Sequence, residues 1–211
     1  LTAIRSYLAT DGKPALECGL TDEHSNGNGS LMRIHPFVLY AYAKKLPFGE
    51  WLNLIKNGSA ITHAHDRSEL GCLIYAFVLI HLLGEQSIDA LQHGLRRAEC
   101  HLRECAEISH YKRIFRSDFA SLGRDEIKSS GYVVDTLEAA LWCVMTTTDY
   151  KSCVLKAVNL GEDTDTVAAV AGGLAGILYG YENIPQEWRE TLIKRDYIEE
   201  LCKNACDNWL K

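Results

Sequence analysis

The run Gly161-Glu162-Asp163-Thr164-Asp165-Thr166 sets three oxygen-bearing side chains, Asp163, Asp165 and Thr166, within four residues, directly before VAAVAGGLAGILYG. Carboxylate and hydroxyl oxygens suit hard divalent cations such as Mg²⁺, Mn²⁺ or Ca²⁺ rather than zinc. A helix start needs one acid as cap and dipole partner, so a second Asp and a Thr exceed what capping requires. An EF-hand is excluded, because Ala168 and Leu174 stand where its loop needs Gly and Glu. A second run, Ser25-Asn26-Gly27-Asn28-Gly29-Ser30-Leu31-Met32-Arg33, is rich in small residues and precedes a helix-like segment. Such a loop lets backbone N–H groups approach an anion, as a diphosphate or ribose site requires. The same composition also makes an ordinary Asn/Gly turn. The third run, Thr62-His63-Ala64-His65-Asp66, opens an apolar segment and reads either as a cap with surface histidines or as part of a ligand site.

The elements that must carry these runs are helical. Alternating strand patterns are almost absent, proline is confined to Pro14, Pro36, Pro47 and Pro185, and apolar positions recur at helical spacing. Helices are expected over 1–9, 31–45, 49–58, from Asp66 to Leu83, from a Ser87 cap onward, and over 134–147, 149–160, 164–181, 186–194 and 196–210. Residues 10–30 and 116–131 read as long polar loops. The expected architecture is an all-α, single multi-helix globular domain over 1–211. The small residues of 168–176 predict a close backbone approach on that helix, with the acid cluster deep at a helix crossing.

Composition narrows the classes. With 211 residues, 47% hydrophobic, 24% charged and a net charge of −6, the chain has an ordinary globular balance. An acidic chain lacks the dense basic face of a sequence-independent nucleic-acid binder. The longest near-apolar stretch, Leu70–Gly84, carries His81 and stops short of the roughly 18 residues that indicate a membrane span. Neither nucleic acid nor membrane is therefore an expected partner. The eight cysteines include no C-x-x-C, and Cys72 and Cys143 lie in apolar runs. They read as reduced, which gives a cytoplasmic expectation.

Taken together, NGNGSLMR, the TH-x-H stretch, GYVVDTLEAALW at 131–142 and GEDTDTVAAVAGGLAGILYG at 161–180 resemble the ADP-ribosylglycohydrolase family in order and spacing, from about Glu17 to Gly180. The resemblance implies an all-α fold with a dinuclear Mg²⁺ or Mn²⁺ centre at an ADP-ribose cleft. It implies hydrolysis of the glycosidic bond between ADP-ribose and a protein side chain or small conjugate. The family's C-terminal D-x-D-T ligands fall on Asp163, Asp165 and Thr166, the two acids also serving catalysis. Gly27, Asn28, Gly29 and Ser30 match the diphosphate and ribose loop, His63 a histidine at the ligand, and Tyr132 an aromatic facing the nucleotide. Met32 and Arg33 read as packing and a structural ion pair.

Two departures matter. The family's N-terminal T-D-D-T motif has no counterpart, since no Asp-Asp pair occurs. The resemblance thus implies a chain that starts after about the first quarter of the family domain, with self-association through uncovered helix faces. Where some members carry an Asp three residues before the Asn of the loop, Ser25 stands here. A non-catalytic ADP-ribose-binding or structural member of the same fold is the alternative reading.

Overall fold

A computed structural model describes residues 2–10 and 12–210. The α-helices run in chain order: α1 Thr2–Ala9, α2 His35–Ala43, α3 Phe48–Ala60, α4 Asp66–Gly84, α5 Ile88–Leu102, α6 Val133–Met145, α7 Tyr150–Val158, α8 Thr164–Tyr179, α9 Gln186–Thr191 and α10 Arg195–Trp209. Among the described residues no β-strand forms, so the chain is all-α as its pattern predicts.

Helix α4 is the axle. It packs against α2, α3, α5, α6 and α8. Its side chains from Leu70 to Leu79 are all buried. An apolar surface on every side of a helix demands neighbours on every side. Each fully buried Leu or Ile here, such as Leu73, Ile74 and Leu79, contributes about 1.5–3 kcal/mol. At 19 residues α4 is long and apolar enough to cross a membrane by length and composition, beyond the sequence-based estimate, and 72% of that stretch is buried by the other helices. His65 caps α4, its Nδ1 accepting from the Arg67 N–H at 3.1 Å. Ser87 caps α5 as expected, accepting from the Ala90 N–H at 3.0 Å.

Several boundaries differ from the sequence reading. The expected 31–45 helix splits into a 3₁₀ turn, Leu31–Arg33, and α2, because Pro36 favours the first turn of a new helix. Helix α3 runs past Asn57-Gly58 to Ala60, since Gly58 makes room for Ile34 and Phe37. Ala106–Phe115 forms a 3₁₀ helix that periodicity does not announce. The expected 186–194 helix stops at Thr191, and Lys194 turns left-handed (φ 59°) before α10.

The close backbone approach is real but lies elsewhere. A Cβ on Gly94 of α5 would stand 2.7 Å from Val78 Cα and 2.8 Å from the Phe77 carbonyl oxygen of α4. On α8, Gly173 instead makes room for side chains, with the Tyr75 hydroxyl 2.8 Å and His35 Nδ1 2.9 Å from where a Cβ would sit. There the Tyr75 hydroxyl and His35 Nδ1 are 2.7 Å apart. Burial holds His35 neutral, its pKa lowered to about 4.

Helices α9 and α10 bury no residue. Helix α10 is tied back by Lys44 Nζ donating to the Asn208 carbonyl at 2.9 Å and by Tyr40 meeting Trp209 edge-on. All eight cysteines are free, Cys18, Cys72, Cys143 and Cys153 being buried.

Candidate active site

The three motif runs come together through backbone pairing. The Val133 N–H donates to the Asn26 carbonyl and the Asn28 N–H to the Gly131 carbonyl, both at 3.0 Å. This short antiparallel bridge lays the glycine loop along the turn before α6. The Asp163 N–H then donates to the Ser129 carbonyl at 3.0 Å, and Ser129 Oγ donates to the Gly161 carbonyl. On the other side, Leu20 pairs with the Thr62–Ala64 segment. Four loops far apart in sequence thus share one end of the helical bundle.

Asn28 is the centre of this arrangement. It is buried, and its Nδ2 donates both to Asp163 Oδ2 at 2.6 Å and to Thr136 Oγ1 at 2.8 Å. Thr136 in turn donates to the Ser130 carbonyl. Asp163 holds the N-cap position of α8, but its side chain makes no capping bond and turns to Asn28. The Asn28 hydrogen bond, with smaller help from Thr166, holds the Asp163 carboxyl below its usual range despite partial burial. Thr166 is buried and Asp165 is exposed. The acid cluster therefore opens on the surface rather than sitting deep at a crossing. Its place before the first turn of α8 leaves one side to solvent, and Asn28 meets the charge on the other.

His63 packs against the glycine loop at Gly27 and Gly29. A Cβ on Gly29 would be 3.0 Å from its Cε1, so any larger residue there obliges the ring or the loop to give by tenths of an ångström. Its Nδ1 lies 2.7 Å from Thr62 Oγ1, and burial together with the Arg33 charge keeps the imidazole below its ordinary pKa, hence neutral at pH 7. Arg33 makes no ion pair among the described residues. It donates to the carbonyls of Gly29, Gly58 and Ser59, tying the glycine loop to the end of α3. Met32 is 51% exposed and packs little, since the 3₁₀ turn points it outward. Ser30 is wholly buried, its Oγ accepting from Cys72 Sγ at 3.5 Å within the core.

Tyr132 faces the Arg67 guanidinium, whose carbon is 5.9 Å from the ring centre. Both line a cavity of about 440 Å³, together with Glu23, Asn26 and Gly27. A larger groove, about 710 Å³, runs between Tyr150, Trp188, Leu192 and Ile198, and no candidate site residue lines it. Sequence reasoning missed Thr136, Arg67 and Asn26. The first sits inside the quoted GYVVDTLEAALW run, where the Asp-Thr pair at a helix start was an available signal.

The donor chemistry bears on a metal. Asp163, Asp165 and Thr166 offer only oxygen, which fits a hard cation in kind. In number they fall short of an octahedral shell. Among the described residues no three His, Cys, Asp or Glu side chains converge as a metal cage.

Known proteins match this chain in sequence and fold. The ADP-ribosylglycohydrolase family profile matches residues 1–210. The chain is 35% identical over 190 residues to an ADP-ribosylarginine hydrolase Tri1 of Pseudomonas putida, covering 90% of this chain and 48% of that protein. It is 31% identical to the ADP-ribosyl-[dinitrogen reductase] glycohydrolase of Rhodospirillum rubrum, covering 81% and 52%. The chain thus spans about half the length of these curated relatives. A solved structure described as an ADP-ribosylglycohydrolase-related protein complex superposes with a TM-score of 0.80 at 30% identity, over 100% of this chain and 68% of that one. By its motifs, its fold and these matches, the chain belongs to the ADP-ribosylglycohydrolase family.

Proposed function

We propose that this chain serves hydrolysis of the bond between the distal ribose of ADP-ribose and a protein side chain, arginine being the first choice. The arginine choice rests on the relatives named for that linkage. The observation that supports the reading is the Asn28–Asp163 contact, by which the glycine loop and the D-x-D-T turn lie side by side.

In this reading Asp163, Asp165 and Thr166 hold Mg²⁺ or Mn²⁺, with two ions in a complete centre. Ions held there would supply a water of lowered pKa and contacts to ribose hydroxyls. The chain's own residues do the rest. Asn28 keeps Asp163 ionised and aimed, so that carboxylate charge is ready for an oxocarbenium-like transition state. Asp165, exposed beside it, is placed to meet an incoming ligand. The Gly27–Ser30 backbone lines the ribose and diphosphate side, with His63 against it as a neutral support. Tyr132 offers a ring face to the nucleotide. A cytoplasmic setting and self-association remain part of the proposal.

A second reading, ADP-ribose binding without turnover, draws on the absence of an Asp-Asp pair. Release of ADP-ribose from an arginine-modified protein, followed with and without Mg²⁺ or Mn²⁺, separates the two. Metal-dependent release that Asp165→Ala abolishes is the expected result. Binding of ADP-ribose with no release by the native chain supports the second reading, and no binding at all overturns both.

A further inference from the structure

Helix α4 is apolar along its length but begins with a buried arginine. Arg67 is 6% exposed. Its position runs against two ordinary preferences. Burial of a cation costs solvation, and a cation in the first turn opposes the helix dipole. The compensation lies outside α4. Arg67 Nε donates to Glu107 Oε2 at 2.6 Å and Nη2 to Glu23 Oε1 at 3.3 Å, while the guanidinium stands over Tyr132. The Arg67 carbonyl accepts from the buried Tyr111 hydroxyl at 2.7 Å, which fixes the backbone it springs from. Next to it, Ser68 Oγ donates to Asn26 Oδ1 at 2.8 Å.

We propose that Arg67 is a positioning residue, a clamp that braces the Glu23 end of the glycine loop and the bridged Tyr132 turn against the Ala106–Phe115 helix and so shapes the 440 Å³ cavity they line. The planar guanidinium alone has the fork to reach two carboxylates on different segments while lying against a ring. Its two arms are unequal. The Glu107 arm is short and largely shielded, whereas the Glu23 side chain is 70% exposed and its bond is longer. The Glu107 arm is the anchor, and the Glu23 arm holds the loop. The link to ligand binding rests on the function proposed above, but the clamp itself does not.

Amide hydrogen exchange on the 211-residue chain tests the clamp. The reporters are the Asn28 and Val133 amides, which bond across the bridge to Gly131 and Asn26. Arg67→Met is expected to speed exchange at these two on the order of tenfold, with the interior of α8 unchanged. Arg67→Lys, which keeps the charge and loses the fork, gives an intermediate rise. Glu23→Gln, remote from the core, gives a smaller rise of the same kind. Unchanged exchange at both reporters in Glu23→Gln and Arg67→Lys overturns the clamp, as does a uniform rise along the chain. If Arg67→Met does not fold, Glu23→Gln alone decides. In parallel, calorimetry with ADP-ribose is expected to show about tenfold weaker binding in Arg67→Met and an intermediate loss in Arg67→Lys. Native chain that binds no ADP-ribose removes the functional reading and leaves the exchange result to judge Arg67.

Discussion

Asn28 Nδ2 meets Asp163 Oδ2 at 2.6 Å across 135 positions of sequence. The same amide group also satisfies Thr136, so both of its N–H bonds are spent on the site. A hydrogen bond to a charged acceptor in a partly buried place is worth about 1.5–3 kcal/mol. It also biases Asp163 toward its ionised form, which a role at a cation or a developing positive charge requires.

Asn28→Asp reverses that bias. Two carboxyl groups then face each other, and one is forced to keep its proton. In the native chain the depressed Asp163 pKa contributes stability above the ordinary carboxyl value of 3.8, lost as pH falls through it. In the variant the sign inverts, and stability falls as pH rises through the carboxyl range. Thermal melts are expected to show a clear deficit at pH 7 that shrinks toward pH 4. An equal deficit at both pH values contradicts this account.

His35 acts on the same acid flank of the native pH profile as Asp163. Its imidazole is neutral when folded, with a pKa of about 4, and protonates near 6.5 when unfolded. Stability is therefore complete above pH 6.5 and declines as pH drops toward 4, by on the order of 3 kcal/mol in all. His35→Asn keeps an acceptor for the Tyr75 hydroxyl and removes the titration. Urea midpoints compared at pH 7 and 4.5 are expected to differ less in that variant than in the native chain.

Adjacent glycines on α8 separate space from propensity. Gly173→Ala drives a Cβ to 2.8 Å from the Tyr75 hydroxyl, and overpacking of this kind costs about 1–3 kcal/mol. Gly172→Ala meets nothing nearer than 3.4 Å, so its gain in helix propensity of up to about 1 kcal/mol survives. Denaturant unfolding is expected to move in opposite directions for the pair.

The glycine loop allows a matching contrast for ligand binding. Gly29→Ala pushes on the His63 ring at 3.0 Å, whereas Gly27→Ala meets its Nε2 at 3.6 Å, an ordinary contact. ADP-ribose affinity is expected to fall about tenfold or more in the first, because a displaced ring shifts the loop by tenths of an ångström. The second should lose less than half as much on a free-energy scale, read by calorimetry.

The helical class, the long central helix and the family motifs are legible in the chain because periodicity and motif order are local properties. Asp163 shows where locality ends. Its position before α8 reads as a cap, and only the fold reveals that its carboxylate serves Asn28. Gly173 shows the same limit: a small residue announces that something is near, but not that His35 and Tyr75 are the neighbours. Arg67 gave no signal, since a lone Arg after a TH-x-H run looks like any solvated charge. Its burial follows from Glu23 and Glu107 arriving from separate segments.

The Asn28 amide spans 108 residues to Thr136 and 135 to Asp163. Contacts so distant along the chain form late, after nearby helices such as α4 and α5 have paired across their short connection. The site is therefore the last part of the molecule to be assembled and the first to report an incomplete fold. A nick in the connection between α4 and α5, at residues 85–87, leaves every helix whole, yet turns one intramolecular closure into a meeting of two fragments. Helical content is expected to outlast the competence of the site.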